Sequence, residues 1–384
     1  MKNIETPSLY IKSWCSEPEA GALEQAMNIA QLPFAFGHVA LMPDAHQGFG
    51  MPIGGVLATQ GVVIPNAVGV DIGCGMLACQ TALQAMTKDE IKKVMGLVRR
   101  AVPVGFDHRK TPLEINKPPP KESAPIANQE YNSARYQVGT LGGGNHFIEI
   151  QRGSDGYIWF MIHSGSRNIG KKVCDYYNKL AKNLSGQRAV AVPGQWDLAY
   201  LPVESDEGVQ YLQEMGYCQE FAYKNREVMA DLIADAFAEV MHRFGVQKTI
   251  NVHHNYARLE RHFGADVWVH RKGAISAGKG EVGIIPGSQG SKSFITRGLG
   301  NPESFSSSSH GAGRRMGRKE AERTLSLRDE IKHMDDLGIV HGIRGAGDLD
   351  EAAGAYKNID VVMAEQADLA AIEVELTPLG VIKA

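Results

Sequence analysis

Residues 54–76 read GGVLATQGVVIPNAVGVDIGCGM. Short apolar runs are cut by glycine and proline, with no helical periodicity, so the segment predicts strand, loop, strand with Asp71 and Cys74 in the loop. Outward from it the patterns mix. Residues 20–31 have helical spacing and 36–42 are β-like. Thr87 and Glu90 form a capping-box pattern ahead of DEIKKVMGLVRRAV. Residues 146–151 and 157–162 read as strands, 174–182 as a helix, and 220–244 as the longest amphipathic helix, a core-facing support. Strands recur at 249–252, 266–270 and 281–285. A loop-rich stretch covers 286–310, helices follow at about 318–337 and 359–370, and LGVIK is a short closing strand. Strands and helices do not alternate as in a doubly wound sheet or an eight-fold barrel. The expected fold is α+β, with mixed β-sheets flanked by helices in one domain over 1–384. The polar, Pro-rich residues 106–135 are expected to form a mobile surface loop.

The bulk composition excludes several classes. With 43% apolar and 22% charged residues the chain is near the globular average, so disorder is not expected. The net charge of −3 does not advertise a nucleic-acid partner, and any such site must be a local patch. There are 43 glycines in 384 residues, above the typical frequency of about 7%, and most of the excess lies in loops beside polar residues. Five cysteines without framework spacing suit a reducing cytoplasm. The first residues lack the apolar core of a signal peptide, and no apolar run approaches the roughly 20 residues needed to cross a bilayer.

Six residues in glycine-rich or polar segments carry the chemistry. Asp71 and Cys74 sit in DIGCG, where the glycines let both side chains face one point. A carboxylate with a thiolate suits Mn, Fe, Co or Zn better than Mg or Ca; a buried structural cysteine is the competing reading. His146 follows Gly142-Gly143-Gly144-Asn145, and His163 ends the strand YIWFMIH. Each reads equally well as a satisfied core histidine. In His253-His254-Asn255 only one histidine can face inward along a strand, and spacing leaves the choice open. His310 lies in SSSSHGAGR, among backbone amides and the guanidinium groups of Arg314, Arg315 and Arg318. That is a phosphate environment, where an imidazole can attack phosphorus; a glycine-rich helix start is the alternative. A thiolate, a carboxylate and three imidazoles can hold two divalent transition metals, which leaves His310 for a different task.

From about Ala35 onward the chain resembles the RtcB family of RNA-splicing ligases. MPDAHQGFGMPIGG, PNAVGVDIGCGM, GTLGGGNHFIEI, IHSGSRNIG, HHNYA, GIIPGSQGSKSFI, SSSSHGAGRRM, AYKNID and the terminal VIK carry the resemblance. It implies an active site in a central cleft and a GTP- and Mn²⁺-dependent ligase. Such an enzyme joins RNA 3′-phosphate or 2′,3′-cyclic phosphate ends to 5′-hydroxyl ends, in RNA repair or tRNA splicing, and some members work with the small protein archease. Cys74 would bridge two Mn²⁺ ions, with Asp71 and His146 on one and His163 and His254 on the other. His310 would attack the α-phosphate of GTP and carry GMP. Asn145, Phe147, Glu149, Ser288, Ser293, Ala312, Gly313, Tyr356 and Lys383 match positions around the guanylate. Asp44, Arg167, Arg271 and Arg314 are expected at phosphate or RNA. The chain departs from the family pattern at Ala45, at Gly317, in HGIRGAG, before the AYK segment and at Ala384. No ligand or nucleophile is lost, and the departures point to a divergent paralogue serving RNA damage repair. The competing functions are a metal-dependent 2′,3′-cyclic phosphodiesterase and a non-catalytic RNA-binding relative.

Overall fold

The computed structural model describes residues 1–115, 117–187 and 190–383; Ala384 lies outside the described residues. Two large sheets dominate. One has the strand order Lys2–Ile4, Tyr10–Ser13, Ala35–His46, Ile53–Thr59, Ala265–Lys272, Asn255–His262. The other has the order Val246–His253, Gly75–Thr81, Ile158–Ser164, Phe147–Gly153, Ala370–Lys383, Ser293–Gly298, Val282–Ile285. The first is mixed, because Tyr10–Ser13 runs parallel to Ala35–His46 while its other pairs are antiparallel. The fold is α+β, as expected. Among the described residues no helix is long and apolar enough to cross a membrane.

The main apolar core lies where helices Lys88–Ala101 and Asp206–Val240 cover the second sheet, with Val94, Val98, Phe160, Ile162, Ile233 and Phe237 almost fully buried. Lys88–Ala101 starts at the expected capping box, Thr87 Oγ1 accepting from Glu90 N while Glu90 accepts from Thr87 N. The long helix begins earlier than its periodicity predicts, at Asp206, because Ser205 Oγ accepts from Gly208 N and Asp206 and Glu207 favour the positive end of the helix.

Other differences have local causes. The expected loop 106–135 ends in a helix, Pro125–Ala134, whose first amides donate to the buried Glu214 carboxylate (Ile126 N 3.0 Å, Ala127 N 2.7 Å). The single helix expected at 318–337 is two, Arg318–Thr324 and Leu327–Asp336, since Ser326 caps the second. The stretch 286–310 contains strands Ser293–Gly298 and Ser307–Ser309, and the closing strand runs from Ala370 rather than from the LGVIK segment.

The two sheets join at one residue. His253 ends a strand of the seven-stranded sheet and Asn255 starts a strand of the six-stranded one, leaving His254 at the bend. Regular strand alternation fails there, so spacing alone could not orient the pair.

Candidate metal and nucleotide site

The seven-stranded sheet gathers most of the donors at one end. Gly75 pairs with His253, and Met76 and Phe147 both pair with His163, so Cys74, His146 and His254 emerge beside one another. Backbone bonds fix the bend: His254 N donates to Cys74 O (2.8 Å) and Gly73 N to Asn255 O (2.8 Å). Asp71 reaches in because Gly165 has no side chain; a Cβ there would sit 2.2 Å from both carboxylate oxygens. Ser166 N donates to Asp71 Oδ1 (3.0 Å).

The donor atoms form two groups sharing Cys74. One is Asp71, Cys74 and His146; the other is Cys74, His163 and His254. His146 Nε2 lies 3.1 Å from Asp71 Oδ2 and 3.5 Å from Cys74 Sγ. His163 Nε2 lies 3.4 Å from Cys74 Sγ and 3.4 Å from His254 Nε2. The Nδ1 atoms of His146 and His163 face the carbonyls of Leu141 (2.9 Å) and Asn145 (3.0 Å). A carbonyl only accepts, so Nδ1 carries the proton and Nε2 turns a lone pair to the cluster. His253 faces the other way, with Nδ1 against Gly73 O (2.8 Å) and Arg226 (3.2 Å). Lone pairs of nitrogen, sulfur and oxygen therefore crowd one buried volume. That arrangement fits cations and, by its softness, divalent transition metals rather than Mg²⁺ or Ca²⁺.

The charge states agree. Burial pushes Asp71 up, but the adjacent His146 and the charge of Arg167 outweigh this and hold it down at about 2. Burial, then the other imidazoles, holds His163 and His254 well below the usual histidine range, so both are neutral donors. Burial and the adjacent Asp71 push the Cys74 thiol well up; a bound cation is what would release its proton.

His310 lies beside this cluster, its ring centroid 4.8 Å from that of His254. Asp44 Oδ2 accepts from His310 N (3.1 Å), His310 Nδ1 (2.7 Å) and Gly311 N (3.2 Å). The carboxylate thus fixes the tautomer and leaves Nε2 with a free lone pair. This close approach needs Gly313, at φ +73°, where a Cβ would meet Asp44 O at 2.2 Å. His310 lines both the cleft holding Asp71, Cys74 and His254 and an adjoining cavity. Of the nine residues expected around a guanylate, eight line that cavity. The ninth, Ser293, lies one layer behind, its hydroxyl accepting from Gly287 N (3.2 Å) and Gln151 Nε2 (3.2 Å).

The family model described as tRNA-splicing ligase RtcB matches residues 25–124 and 116–384. The chain is 40% identical to the RNA-splicing ligase RtcB of Escherichia coli (strain K12), over 95% of each chain. It is 30% identical to the tRNA-splicing ligase RtcB of Thermococcus kodakarensis, over 94% of this chain and 90% of that one. The same identity relates it to the RNA-splicing ligase RtcB of Mycobacterium bovis, over 94% of this chain and 100% of that one.

The chain belongs to the RtcB family.

Within this RtcB fold two expected phosphate or RNA contacts need correction. Arg271 is fully buried, its guanidinium spent on Glu260, Ser307 Oγ (2.8 Å) and Phe305 O (2.9 Å), so it ties strands together. Asp44 is also fully buried and holds His310. Arg167 and Arg314 do border the site. Arg167 Nε donates to Thr140 Oγ1 (3.3 Å) and its charge acts on Asp71, while Arg314 lines both cavities.

Sequence reading missed Glu351. Its buried carboxylate gathers Arg314 (3.0 Å), Arg318 (2.7 Å), Lys383 (3.6 Å) and the Tyr356 hydroxyl on one wall of the cavity. Its only sequence signal is its place in LDEAAGAYK, five residues before Tyr356.

Proposed function

We propose that this protein is an RNA ligase that uses GTP and Mn²⁺ to join RNA 3′-phosphate or 2′,3′-cyclic phosphate ends to 5′-hydroxyl ends through a guanylylated His310. RtcB family membership, with relatives named RNA-splicing and tRNA-splicing ligases, supports the RNA ligase. The observation that carries the finer reading is His310 itself, held by Asp44 with Nε2 free between a metal-donor cluster and a cavity lined by Arg314, Arg318 and Lys383. A phosphodiesterase needs the donors alone and gives this histidine no task.

His310 Nε2 attacks the α-phosphorus of GTP. The N–P bond forms, the bond to the β-phosphate oxygen breaks, and pyrophosphate leaves. Asp44 offsets the positive charge that develops on the ring. Arg314 and Arg318, aligned by Glu351, line the same cavity as His310 and would supply positive charge to the phosphates. The 3′-phosphate of the RNA then takes the GMP from His310, which turns a poor leaving group into a good one. The 5′-hydroxyl attacks that phosphorus, a 3′–5′ bond closes and GMP departs. A cyclic phosphate is first hydrolysed to a 3′-phosphate: water attacks the phosphorus, the bond to the 2′-oxygen breaks, and that oxygen leaves as the 2′-hydroxyl. Asp71, Cys74 and His146, with His163 and His254 sharing Cys74, would hold two Mn²⁺ ions, which when bound neutralise phosphate charge and polarise the reacting phosphorus.

Incubation with labelled GTP and Mn²⁺ tests this. The expected result is an acid-labile, base-stable protein–GMP adduct that His310→Ala abolishes together with RNA sealing. A His310→Ala variant that still seals 3′-phosphate RNA would overturn the mechanism.

A further inference from the structure

Phe49 is 76% exposed, yet the backbone beneath it is held from three sides. Lys272, itself 7% exposed, donates to Phe49 O (2.6 Å) and to Asn66 O (3.1 Å). The Gln25 amide makes paired bonds to Gly48, donating to its carbonyl (2.7 Å) and accepting from its N–H (3.0 Å). Gln47 N donates to Glu19 Oε2 (2.9 Å). Folding thus fixes a large apolar ring in water, at the mouth of the cleft that contains Asp71, Cys74, His254 and His310. Val70, 46% exposed, adds apolar surface in the same cleft, and Arg314 and Arg318 supply its cations.

An aromatic face beside guanidinium groups is how proteins grip single-stranded nucleic acid: the bases stack and the phosphates pair with arginine. The chain has a net charge of −3, so a nucleic-acid end has no general attraction to it and needs a local grip. Stacking also tolerates any base, which suits an enzyme that joins ends of differing sequence. We infer that Phe49 is a stacking platform for an unpaired nucleobase at the RNA end that enters the His310 cleft. The inference rests on reading the site as that of an RNA ligase.

Phe49→Ala and Phe49→Trp test it on the whole protein. Removing an exposed ring leaves the melting temperature near that of the parent, which a thermal melt checks first. Ligation of a short 3′-phosphate RNA to a 5′-hydroxyl RNA then shows a KM for RNA raised about tenfold in Phe49→Ala, with a smaller change in kcat, and restored in Phe49→Trp. The emission of Phe49→Trp, corrected for the parent's own tryptophans, is quenched by the 3′-phosphate RNA and not by the same RNA with an abasic end. If the parent ligates and Phe49→Ala has the same KM, or if the abasic RNA quenches equally, the stacking role is overturned and the ring becomes a candidate contact for a protein. If the parent neither binds nor ligates RNA, the ligase reading fails and this inference falls with it.

Discussion

The Glu149 carboxyl sits on the wall of the cavity beside His310, 3% exposed, accepting from Gln151 Nε2 (2.7 Å). Burial pushes its pKa up to about 8, against the opposing pull of the Gln151 hydrogen bond and the Lys383 charge. The group is therefore protonated at neutral pH when folded and ionised when unfolded. Between the unfolded value of 4.5 and about 8 the folded state binds the extra proton, so stability falls as pH rises through that window and levels off above it. Glu149→Gln keeps an acceptor for Gln151 and removes the titration. The variant is expected to gain on the parent by up to about 1.4 kcal/mol per pH unit between pH 5 and 8. Urea unfolding of both proteins at pH 5.5 and 7.5 measures this. An equal stability difference at the two pH values would show that the carboxyl is already ionised in the folded protein.

At the scale of elements, helix Asp206–Val240 does more than cover the core. Asn225 and Arg226 are fully buried on it. Asn225 accepts from Gly139 N (2.7 Å) and Thr140 N (3.2 Å) and donates to Thr140 O, Ser164 Oγ and Gly165 O. Arg226 donates to Ser164 O (2.9 Å) and Gly73 O (3.1 Å). Thr140, next to the Leu141 that orients His146, Gly165, which admits Asp71, and Gly73, next to Cys74, are thus tied to one helix. Asn225→Ala leaves several buried backbone groups unpaired and is expected to cost on the order of 3 kcal/mol. It should also weaken Mn²⁺ binding measured by calorimetry. Unchanged stability and affinity would remove the helix's scaffolding role. Apolar periodicity made this helix legible as a support, and the same periodicity hid two polar residues inside its buried stripe. Asp71, Cys74 and His310 were legible for the opposite reason, as polar groups in glycine-rich loops with no apolar pattern to explain them. The choice between His253 and His254 was not legible from spacing, because it depends on where one sheet gives way to the other.

At the scale of the whole molecule, the donor cluster lies where the two large sheets meet. Cys74, His146 and His163 sit at the ends of seven-stranded-sheet strands, Asp71 lies in the loop before the first of these, and His254 is the residue through which the chain passes into the six-stranded sheet. A cation held by Cys74, His163 and His254 would bind only when both sheets are in place, so it should stabilise the fold by mass action. At a free concentration about 100 times its dissociation constant the gain is about 2.7 kcal/mol, a rise of a few degrees in melting temperature. Mn²⁺ is expected to give that rise and Mg²⁺ little of it, because nitrogen and sulfur donors favour the transition metal. Cys74→Ser should lose most of the shift: the hydroxyl is harder, stays protonated, and is the one donor common to both groups. His310→Ala should keep the shift, since His310 is held by Asp44 rather than turned into the cluster. Thermal melts of the three proteins with Mn²⁺, Mg²⁺ and chelator decide the matter. A shift retained in Cys74→Ser would remove the shared thiolate, and one lost in His310→Ala would place that histidine among the donors and leave the nucleotide without its nucleophile.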